Sequence, residues 1–394
     1  MILVGIDIGK NSHFFTVLNK EDGEVLIEPA SFKNNQEGFD FLTRTLSAFD
    51  KESILIGMED TGHYHFALLR HLLLHGFPVA LINPIATDMT RKMQGGISKN
   101  DKLDTLMICD VLSSSNRKKS YRITKIDRFD YYEQRQLTRH HHNLKEELNA
   151  YANRLQKCID IVFPEFNSLF KSKYGTVYMR LLKTFGSADK IAHADIRTLR
   201  KCFEIEGRAR RIALQPEQVK AAAKNSVGIP SIVEEIQIKH LIAQIELIND
   251  QLDEIDKKIE EFSSQVNSPI TSIPGISHFS GTSILAEIGD IHNYPKASKI
   301  VKLAGVAPYE HQSSQYKADR TAISKKGSKY LRKTLYQIIV PVIRYNEVFQ
   351  KYYLLKRSQG KSHRCAQGHC VRKLLRVIYH LLSTNQQFDP ALLR

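Results

Sequence analysis

A heptad of apolar residues within residues 232–262 constrains the fold more than any other segment of the chain. Its members alternate steps of three and four along the sequence: Ile238, Leu241, Ile245, Ile248, Leu252, Ile255, Ile259 and Phe262. Apolar side chains at that spacing form one stripe on a helix, which is typical of a coiled-coil seam. The stripe needs a partner, either the long polar helix expected over residues 128–163 or the same helix of a second copy. Between these two helices, residues 164–230 are expected to form a mixed helical insert.

The first 125 residues have a different pattern, in which short apolar runs alternate with helical spacing. The pattern predicts a mixed α/β sheet, because a meander of three strands is followed by alternating strands and helices. The predicted strands cover residues 2–6, 14–18, 25–27, 54–58 and 79–82, and the predicted helices cover residues 37–48, 64–75 and 102–113.

Four acids lie at the ends of these predicted elements. Asp7 follows the first strand, Glu59 ends the fourth, and Asp101 and Asp104 share a face at the start of a helix. Four clustered carboxylates could not stay ionised together without cations, and their hard oxygens suit Mg²⁺ or Mn²⁺. The layout matches a ribonuclease H-like sheet, in which two metal ions can act on a phosphodiester. Asp60 is interpreted as a neighbour that points away from this group, and Asp101 and Asp104 could alternatively be acids that only favour a helix N-terminus.

Charge is concentrated at the C-terminal end of the chain. The sequence holds 57 Lys and Arg against 42 Asp and Glu, and residues 296–394 alone hold 20 basic and 4 acidic residues. This excess favours a polyanion, and nucleic acid is the commonest one. A Pro-Gly turn at Pro274 and Gly275, between helical stretches, resembles a helix-hairpin-helix whose backbone approaches a phosphate.

Several other classes of protein are less consistent with the sequence. Five scattered cysteines and the absence of a signal-peptide pattern favour a reducing cytoplasm, and no apolar run is long enough for a membrane span. The motif GIDIGKN also occurs in sugar kinases and actin-like ATPases, but their second phosphate loop and adenosine motif are not found here. RHHH at residues 139–142 has the composition of a metal-binding tract, but three adjacent histidines on a helix point in different directions, so a solvated stretch is expected instead.

The chain resembles the insertion-sequence 110 family of transposases, which includes the Piv-type DNA invertases. The resemblance is carried by GIDIGK at residues 5–10, GMEDTGHY at 57–64, LINP at 81–84, KNDKLDT at 99–105 and the long C-terminal motifs that begin at SIPGISHFSG and KLAGVAPYEHQSSQ. It covers both ends of the chain with the motifs in the same order. The insert at residues 164–230 is longer than in compact members of the family.

This resemblance implies a RuvC-like domain whose Asp-Glu-Asp-Asp set maps to Asp7, Glu59, Asp101 and Asp104 and binds Mg²⁺. It also implies a coiled-coil dimerisation region and a C-terminal domain that supplies a nucleophilic serine, which maps to Ser313. Many relatives have Ser-Gly here, whereas this chain has Ser313 followed by Ser314, and Ser313 is favoured. Nucleic-acid contacts are assigned to a basic group and two motif residues: Lys99, Gly275, Arg320, Lys325, Lys326, Lys329, Arg332 and Lys333.

The resemblance further implies target and donor DNA as substrates and a structured noncoding guide RNA, the bridge RNA, as partner. The expected protein is a cytoplasmic prokaryotic homo-oligomer, a dimer or tetramer, that is associated with the nucleoid when active. Its predicted domains are residues 1–125, 126–262 and 263–394. Two alternatives stay open: a RuvC-like nuclease that uses water at the four acids, and a catalytically silent nucleic-acid-binding scaffold.

Overall fold

The structure is a computed structural model of the 394-residue chain. It describes residues 1–60, 62–93, 100–114, 121–204, 213–265, 268–308, 312–313, 316–317 and 322–392, with the backbone only at residues 101, 127, 128, 312, 313, 316 and 317. The chain divides into two compact units, Met1–Glu133 and Gln134–Arg394. The domain boundaries predicted at residues 125 and 262 stay predictions.

The first unit is built on a mixed sheet of six strands in the order β3-β2-β1-β4-β5-β6. The first three strands form the antiparallel meander predicted from the sequence, β1, β4 and β5 run parallel, and β6 is antiparallel to β5. The mixed sheet is therefore confirmed. Its strands are β1 (Ile2–Asp7), β2 (Ser12–Asn19), β3 (Val25–Lys33), β4 (Ile54–Glu59), β5 (Val79–Ile82) and β6 (Tyr121–Thr124).

Helices cover both faces of this sheet, and alternate residues of β1 show why. Val4 and Ile6 are buried in a cluster with the helices of one face, whereas Leu3 is buried on the other face with Ile108 and Leu112. A strand that is buried on both sides has a continuous apolar sequence, as residues 2–6 do. The helices of this unit are α1 (Gln36–Leu46), α2 (His65–Leu74), α3 (Pro84–Met93) and α4 (Asp101–Ser113). The sequence analysis predicted neither α3 nor β6.

The second unit is largely helical, as the sequence predicted for the chain beyond about residue 125. Two of its helices are much longer than the rest, and α5 begins just before the boundary between the units. The helices are α5 (Tyr132–Val162), α6 (Thr176–Thr184), α7 (Ala188–His193), α8 (Ile196–Phe203), α9 (Pro216–Lys224), α10 (Ile232–Gln265), α11 (His278–Ile288), α12 (Ala297–Leu303), α13 (Lys329–Tyr345), α14 (Glu347–Ser358) and α15 (His363–Thr384). A two-stranded ribbon, β7 (Gln312–Ser313) and β8 (Tyr316–Lys317), precedes α13.

The heptad stripe of α10 is buried within the same chain. Its members from Ile238 to Ile259 are buried, and Phe262 at the end is half-buried. Helix α5 is the partner and runs antiparallel, because Cys158 contacts Gln237 at one end and His141 contacts Asp256 at the other. Of the two partners that the sequence left open for this stripe, the structure therefore has the helix of the same chain.

The insert packs as a helical layer against this pair of long helices. Buried residues of α6 and α9, including Leu181 and Val219, share one core with Leu155 of α5 and Ile242 of α10. The C-terminal helices form a separate core around Leu335 and Leu374. Within the described residues, we find no helix that combines the length and the apolar character needed to cross a bilayer.

Two of the three histidines in the tract contradict their prediction, whereas His140 is exposed as expected. His141 and His142 are 7% and 2% exposed rather than solvated. The Nε2 atom of His142 lies 3.0 Å from the Thr334 hydroxyl, and Nε2 of His141 lies 3.3 Å from the Asp256 carboxylate. Two adjacent histidines can both be buried because α5 is enclosed on more than one side by the other helices of this unit.

Candidate active site: the acidic pocket

Three of the four predicted acids line one pocket in the first unit. Asp7 is the last residue of β1 and Glu59 the last residue of β4, and these strands are parallel neighbours with Ile6 opposite Met58. Both carboxylates therefore lie at the same edge of the sheet. Asp104 joins them from the first turn of α4, and together they line a cavity of about 320 Å³, which we call the acidic pocket.

Helix α4 brings Asp104 to the sheet because a glycine of β1 allows a close approach. A Cβ atom at Gly5 would lie 2.0 Å from the carbonyl oxygen of Thr105, so any side chain there would push α4 away. The Thr105 hydroxyl is 2.6 Å from that of Thr16 on β2, which fixes the helix against a second strand. At the start of the helix the Asn100 side chain accepts a hydrogen bond from the Lys102 amide, which caps α4.

Asp101 is the first residue of α4, three positions before Asp104. Its side chain lies outside the described residues. Its membership of the acidic pocket therefore stays a prediction from the helical spacing of the two acids.

Helix α3, which the sequence analysis missed, contacts two of the acids. The buried Thr87 hydroxyl donates a hydrogen bond to Glu59, and the Nη2 atom of Arg91 donates to Oδ1 of Asp104 over 2.6 Å. Both side chains line the acidic pocket, and their spacing of four places them on one face of the helix. The sequence signal for these two contacts is that Thr87 and Arg91 lie four residues apart, shortly after the predicted strand at residues 79–82.

Asp60 lies apart from this group, as predicted. Its carboxylate pairs with Arg122 at 2.9 Å and lies 3.5 Å from Nε2 of the buried His65. It lines a different and larger cavity of about 640 Å³ beside α3 and β6. Its contacts thus tie the end of β4 to β6 and α2, and Asp60 does not line the acidic pocket.

The donor set of the acidic pocket fits a hard divalent cation. Asp7, Glu59 and Asp104 offer only carboxylate oxygens, the ligands that Mg²⁺ and Mn²⁺ prefer. Across the described part of the chain, no group of three His, Cys, Asp or Glu residues is already arranged to hold a metal ion. In this conformation the positive charge that contacts one of these three acids is the guanidinium of Arg91, at Asp104.

The predicted nucleophile belongs to the second unit. Ser313 is the last residue of β7 and pairs with Tyr316 across the two-stranded ribbon. Its side chain is not among the described parts, and Ser314, Arg320 and Lys99 lie outside the described residues. The structure therefore leaves the role of Ser313 as a prediction.

The remaining predicted nucleic-acid contacts divide into two groups. Lys325, Lys326 and Lys329 are exposed at the start of α13 and just before it. Arg332 donates to the carbonyl oxygens of Ala304 and Lys325, each at 3.2 Å, and Lys333 pairs with Glu146 at 3.0 Å. Arg332 and Lys333 therefore have structural partners, whereas the three lysines are exposed, with the Lys329 ammonium 4.8 Å from the centroid of the Tyr330 ring.

Gly275 has a packing role in the structure. Its φ of +97° is one that glycine adopts readily, and an added Cβ would lie 2.7 Å from the backbone nitrogen of Val342 in α13. The turn thus allows the chain to approach the α13 backbone closely. A contact between Gly275 and phosphate stays a prediction.

A buried polar network in the second unit is the main feature that the sequence analysis did not identify. Arg139 of α5 donates to both carboxylate oxygens of Glu287, at 2.5 and 3.0 Å, and the Ser328 hydroxyl donates to Glu287 at 2.7 Å. Burial alone would lower the pKa of Arg139, but the hydrogen bond and negative charge of Glu287 raise it above its usual value. Ser328 also caps α13 by accepting from the Leu331 amide, so the network fixes the start of the basic helix.

Burial also lowers the pKa of each of the two core histidines to about 4, and the charges of nearby lysines act in the same direction. His141 and His142 are therefore neutral at pH 7. The Nε2 contact of His142 continues through the Thr334 hydroxyl to Ser283, 3.0 Å away, which links α5, α13 and α11. These residues were found only from the structure, because their partners are distant in sequence.

Comparison with known proteins places the chain in a class. A family model described as transposase, of the DEDD type of IS110, matches residues 4–164, and a second, described as transposase of the IS116/IS110/IS902 family, matches residues 267–354. The first of these spans the acidic pocket, so the class is that of the DEDD transposases. The chain belongs to the IS110 family of transposases.

Relatives align with almost the whole chain, including the insert between the two matched regions. The chain is 23% identical to the insertion element IS116 uncharacterized 44.8 kDa protein of Streptomyces clavuligerus, over 99% of this chain and 96% of that protein. It is 24% identical to the pilin gene-inverting protein of Moraxella lacunata, over 98% and 97% of the two chains. Among solved structures, T. thermophilus RuvC in complex with a Holliday junction substrate aligns with 32% of this chain and 99% of that chain, with 15% identity and a TM-score of 0.24.

Proposed function

We propose that the protein is a DNA recombinase of a mobile element that cuts and rejoins DNA through a serine-phosphate intermediate. The observation that carries the proposal is the acidic pocket, in which carboxylates from β1, β4 and α4 converge in a chain of the IS110 family. The names of its relatives, which are insertion-element proteins and a pilin gene-inverting protein, support DNA rearrangement as the reaction.

The first unit is proposed to be a ribonuclease H-like, RuvC-like domain. A three-strand meander followed by parallel strands and helices is the arrangement from which this fold was predicted, and it is present here. Asp7, Glu59, Asp104 and, by spacing, Asp101 would hold Mg²⁺ or Mn²⁺. Such ions supply Lewis acidity and charge at a phosphodiester.

Ser313 is the proposed nucleophile. Its Oγ forms a bond to the phosphorus of the DNA backbone while one P–O bond breaks, and the released strand end leaves as a hydroxyl after taking a proton. A serine hydroxyl is a weak nucleophile at neutral pH and needs activation by a base or by a metal ion. The phosphoserine link conserves the bond energy, so the second strand can be joined without ATP.

Sequence choice is proposed to come from a structured guide RNA that pairs with target and donor DNA. In that arrangement the protein contacts backbone and shape, and base pairing reads the sequence. The C-terminal excess of 20 basic over 4 acidic residues and the exposed Lys325, Lys326 and Lys329 support a role in phosphate binding. The site of action is proposed to be the prokaryotic cytoplasm, at the nucleoid.

The protein is also proposed to act as a homo-oligomer through its long helices. Because α5 covers the heptad stripe, the contact between copies is proposed to use another face of α10. The first turns of α10 offer one, since Ile232, Val233 and Ile236 are exposed by 75%, 59% and 49%. Replacing Val233 with Asp should reduce the mass measured by sedimentation. An unchanged mass would exclude this face.

A covalent-adduct assay tests the proposed chemistry. The full chain is incubated with guide RNA, Mg²⁺ and DNA that carries a nick next to the cleavage site, and protein-linked DNA is resolved on denaturing gels. Wild type and Ser314→Ala are expected to form the adduct, whereas Ser313→Ala and Asp7→Ala form none. Ser314→Ala is the matched control, because it removes a hydroxyl at the next position.

The two alternatives give different results in the same assay. A nuclease that uses water would cut DNA without any adduct, and its cutting would persist in Ser313→Ala. A silent scaffold would leave recombination of a reporter plasmid unchanged in Asp7→Ala and Asp104→Ala. Either result would overturn the proposal.

A further inference from the structure

Arg91 is the one basic residue among the described residues that line the acidic pocket. The same wall carries the carboxylates of Asp7, Glu59, Asp88 and Asp104. Like charges this close raise the free energy of the ionised state unless a cation lies among them. In this conformation the guanidinium of Arg91 lies at Asp104, while Asp88 pairs with the exposed Lys92 at 2.7 Å.

The contact that Arg91 makes is of a kind that can be exchanged. Only Nη2 contacts Asp104, at Oδ1, rather than both arms of the guanidinium holding both carboxylate oxygens. The Arg91 side chain is 24% exposed and that of Asp104 is 11% exposed, so the pair faces the cavity. A single-contact pair on a cavity wall costs less to separate than a bidentate pair in a sealed core.

We infer that Arg91 is a built-in counter-ion that holds Asp104 until a divalent cation takes its place. This rests on the proposed metal-dependent function. A hard cation requires carboxylate oxygens in its own coordination shell, and its charge repels a guanidinium at the same carboxylate. Metal loading therefore replaces the guanidinium of Arg91 at Asp104 with a divalent cation. Arg91 stabilises the unloaded pocket and, for the same reason, lowers its affinity for metal.

Mn²⁺ binding to the full chain tests the inference without any need for DNA cleavage. Free Mn²⁺ is measured by electron paramagnetic resonance in titrations of wild type, Arg91→Gln and Arg91→Lys. Arg91→Gln is expected to bind Mn²⁺ about tenfold more tightly than wild type, since the cation no longer competes with a charge-assisted hydrogen bond. Arg91→Lys, which keeps the charge with a shorter reach, is expected to lie between the two and serves if Arg91→Gln does not fold.

Two further variants separate this effect from a general loss of charge. Arg70→Gln removes an exposed arginine of α2 that does not line the acidic pocket, and its Mn²⁺ affinity should equal that of wild type. In an Asp104→Asn background, Arg91→Gln should no longer tighten Mn²⁺ binding, because the carboxylate that Arg91 contacts is gone. A purely structural role of Arg91 would give neither pattern.

Thermal unfolding gives a second readout. Without metal, Arg91→Gln should melt below wild type, since Asp104 loses its partner, and added Mn²⁺ should raise its melting temperature by more than that of wild type. Equal or weaker Mn²⁺ binding by Arg91→Gln would overturn the inference. In that case, loss of Mn²⁺ binding in Asp7→Asn would still support a metal site at the acidic pocket, but without a counter-ion role for Arg91. If neither wild type nor Arg91→Gln bound Mn²⁺, the inference and the proposed metal dependence would both fail.

Discussion

The two units of the chain place their shielded carboxylates in different environments. In the first unit, Glu59 and Asp104 lie on the wall of a cavity, and α3 contributes a contact to each, from Thr87 and Arg91. In the second unit, Glu287 is 6% exposed and accepts three hydrogen bonds from two side chains. The comparison teaches that a carboxylate on a cavity can exchange its partner for a ligand, whereas one enclosed by several donors holds helices together.

The largest effect on stability is expected at Glu287. Replacing Glu287 with Ala leaves the half-buried Arg139 without its carboxylate partner and removes the bond that fixes Ser328. Loss of one member of a fully buried ion pair costs about 3–5 kcal/mol, and because the Arg139 side chain is 34% exposed we expect about 3 kcal/mol, which urea unfolding of the variant should show. Glu246→Ala is the control, because Glu246 forms an exposed pair with Lys183 that contributes at most about 1 kcal/mol. Equal losses of unfolding free energy in Glu287→Ala and Glu246→Ala would show that Glu287 holds the helices no more strongly than an exposed ion pair does.

The second largest effect is expected at the glycine that seats α4. Gly5→Ala forces the Thr105 backbone away from β1, and overpacking of this kind costs up to about 3 kcal/mol. Because Asp104 is on the same helix, the variant should also lose cleavage activity in the adduct assay. Gly175→Ala is the control, since nothing lies within 4 Å of the added carbon and its φ of −72° suits alanine. A stable and fully active Gly5→Ala would show that α4 can shift without disturbing the acidic pocket.

The buried histidines predict a dependence of stability on pH that belongs to the second unit. The pKa of His141 and of His142 is lowered from 6.5 to about 4, so the unfolded chain binds protons in this interval that the folded chain does not. Stability contributed by the neutral histidines is therefore present above pH 6.5 and is lost as the pH falls toward 4. The loss should be on the order of 2 kcal/mol for the pair after solvent screening.

Urea unfolding at a series of pH values between 7 and 4 measures this loss. The double variant His141→Gln with His142→Gln should show a shallower decline with pH than wild type, whatever its stability at pH 7. A decline of the same slope in both proteins would assign the acid sensitivity to other groups.

The sequence was sufficient to place Asp7 and Glu59 together, because both follow apolar runs and parallel strands end at one edge of a sheet. It was not sufficient to find α3. That helix buries only Thr87 among its side chains, while Ile85, Met89 and Met93 are exposed by 66%, 52% and 81%. A search for an apolar stripe that faces the core therefore fails on this segment.

The histidine tract was misjudged for a related reason. The side-chain type and the local spacing of RHHH favour solvent, but burial is decided by contacts with Asp256 and Thr334, more than a hundred residues away. In the acidic pocket as well, the roles of Thr87 and Arg91 depend on their contacts with Glu59 and Asp104, which lie on other elements of the chain. Sequence patterns thus identified the chemistry-bearing acids, and the tertiary structure was needed to identify what holds them.

The smallest expected effect concerns the way Thr87 holds Glu59. Thr87→Val keeps the shape of the side chain and removes the hydroxyl that donates to the carboxylate, which should cost about 1 kcal/mol in urea unfolding. Thr90→Val is a matched control in the same helix, because the Thr90 hydroxyl donates only to the Ala86 carbonyl oxygen within α3. Mn²⁺ affinity should fall in Thr87→Val and stay unchanged in Thr90→Val, since only the first variant removes a hydrogen bond to Glu59. If both variants kept the wild-type affinity, Thr87 would not position Glu59, and of the two contacts from α3 only that of Arg91 would act on the acids.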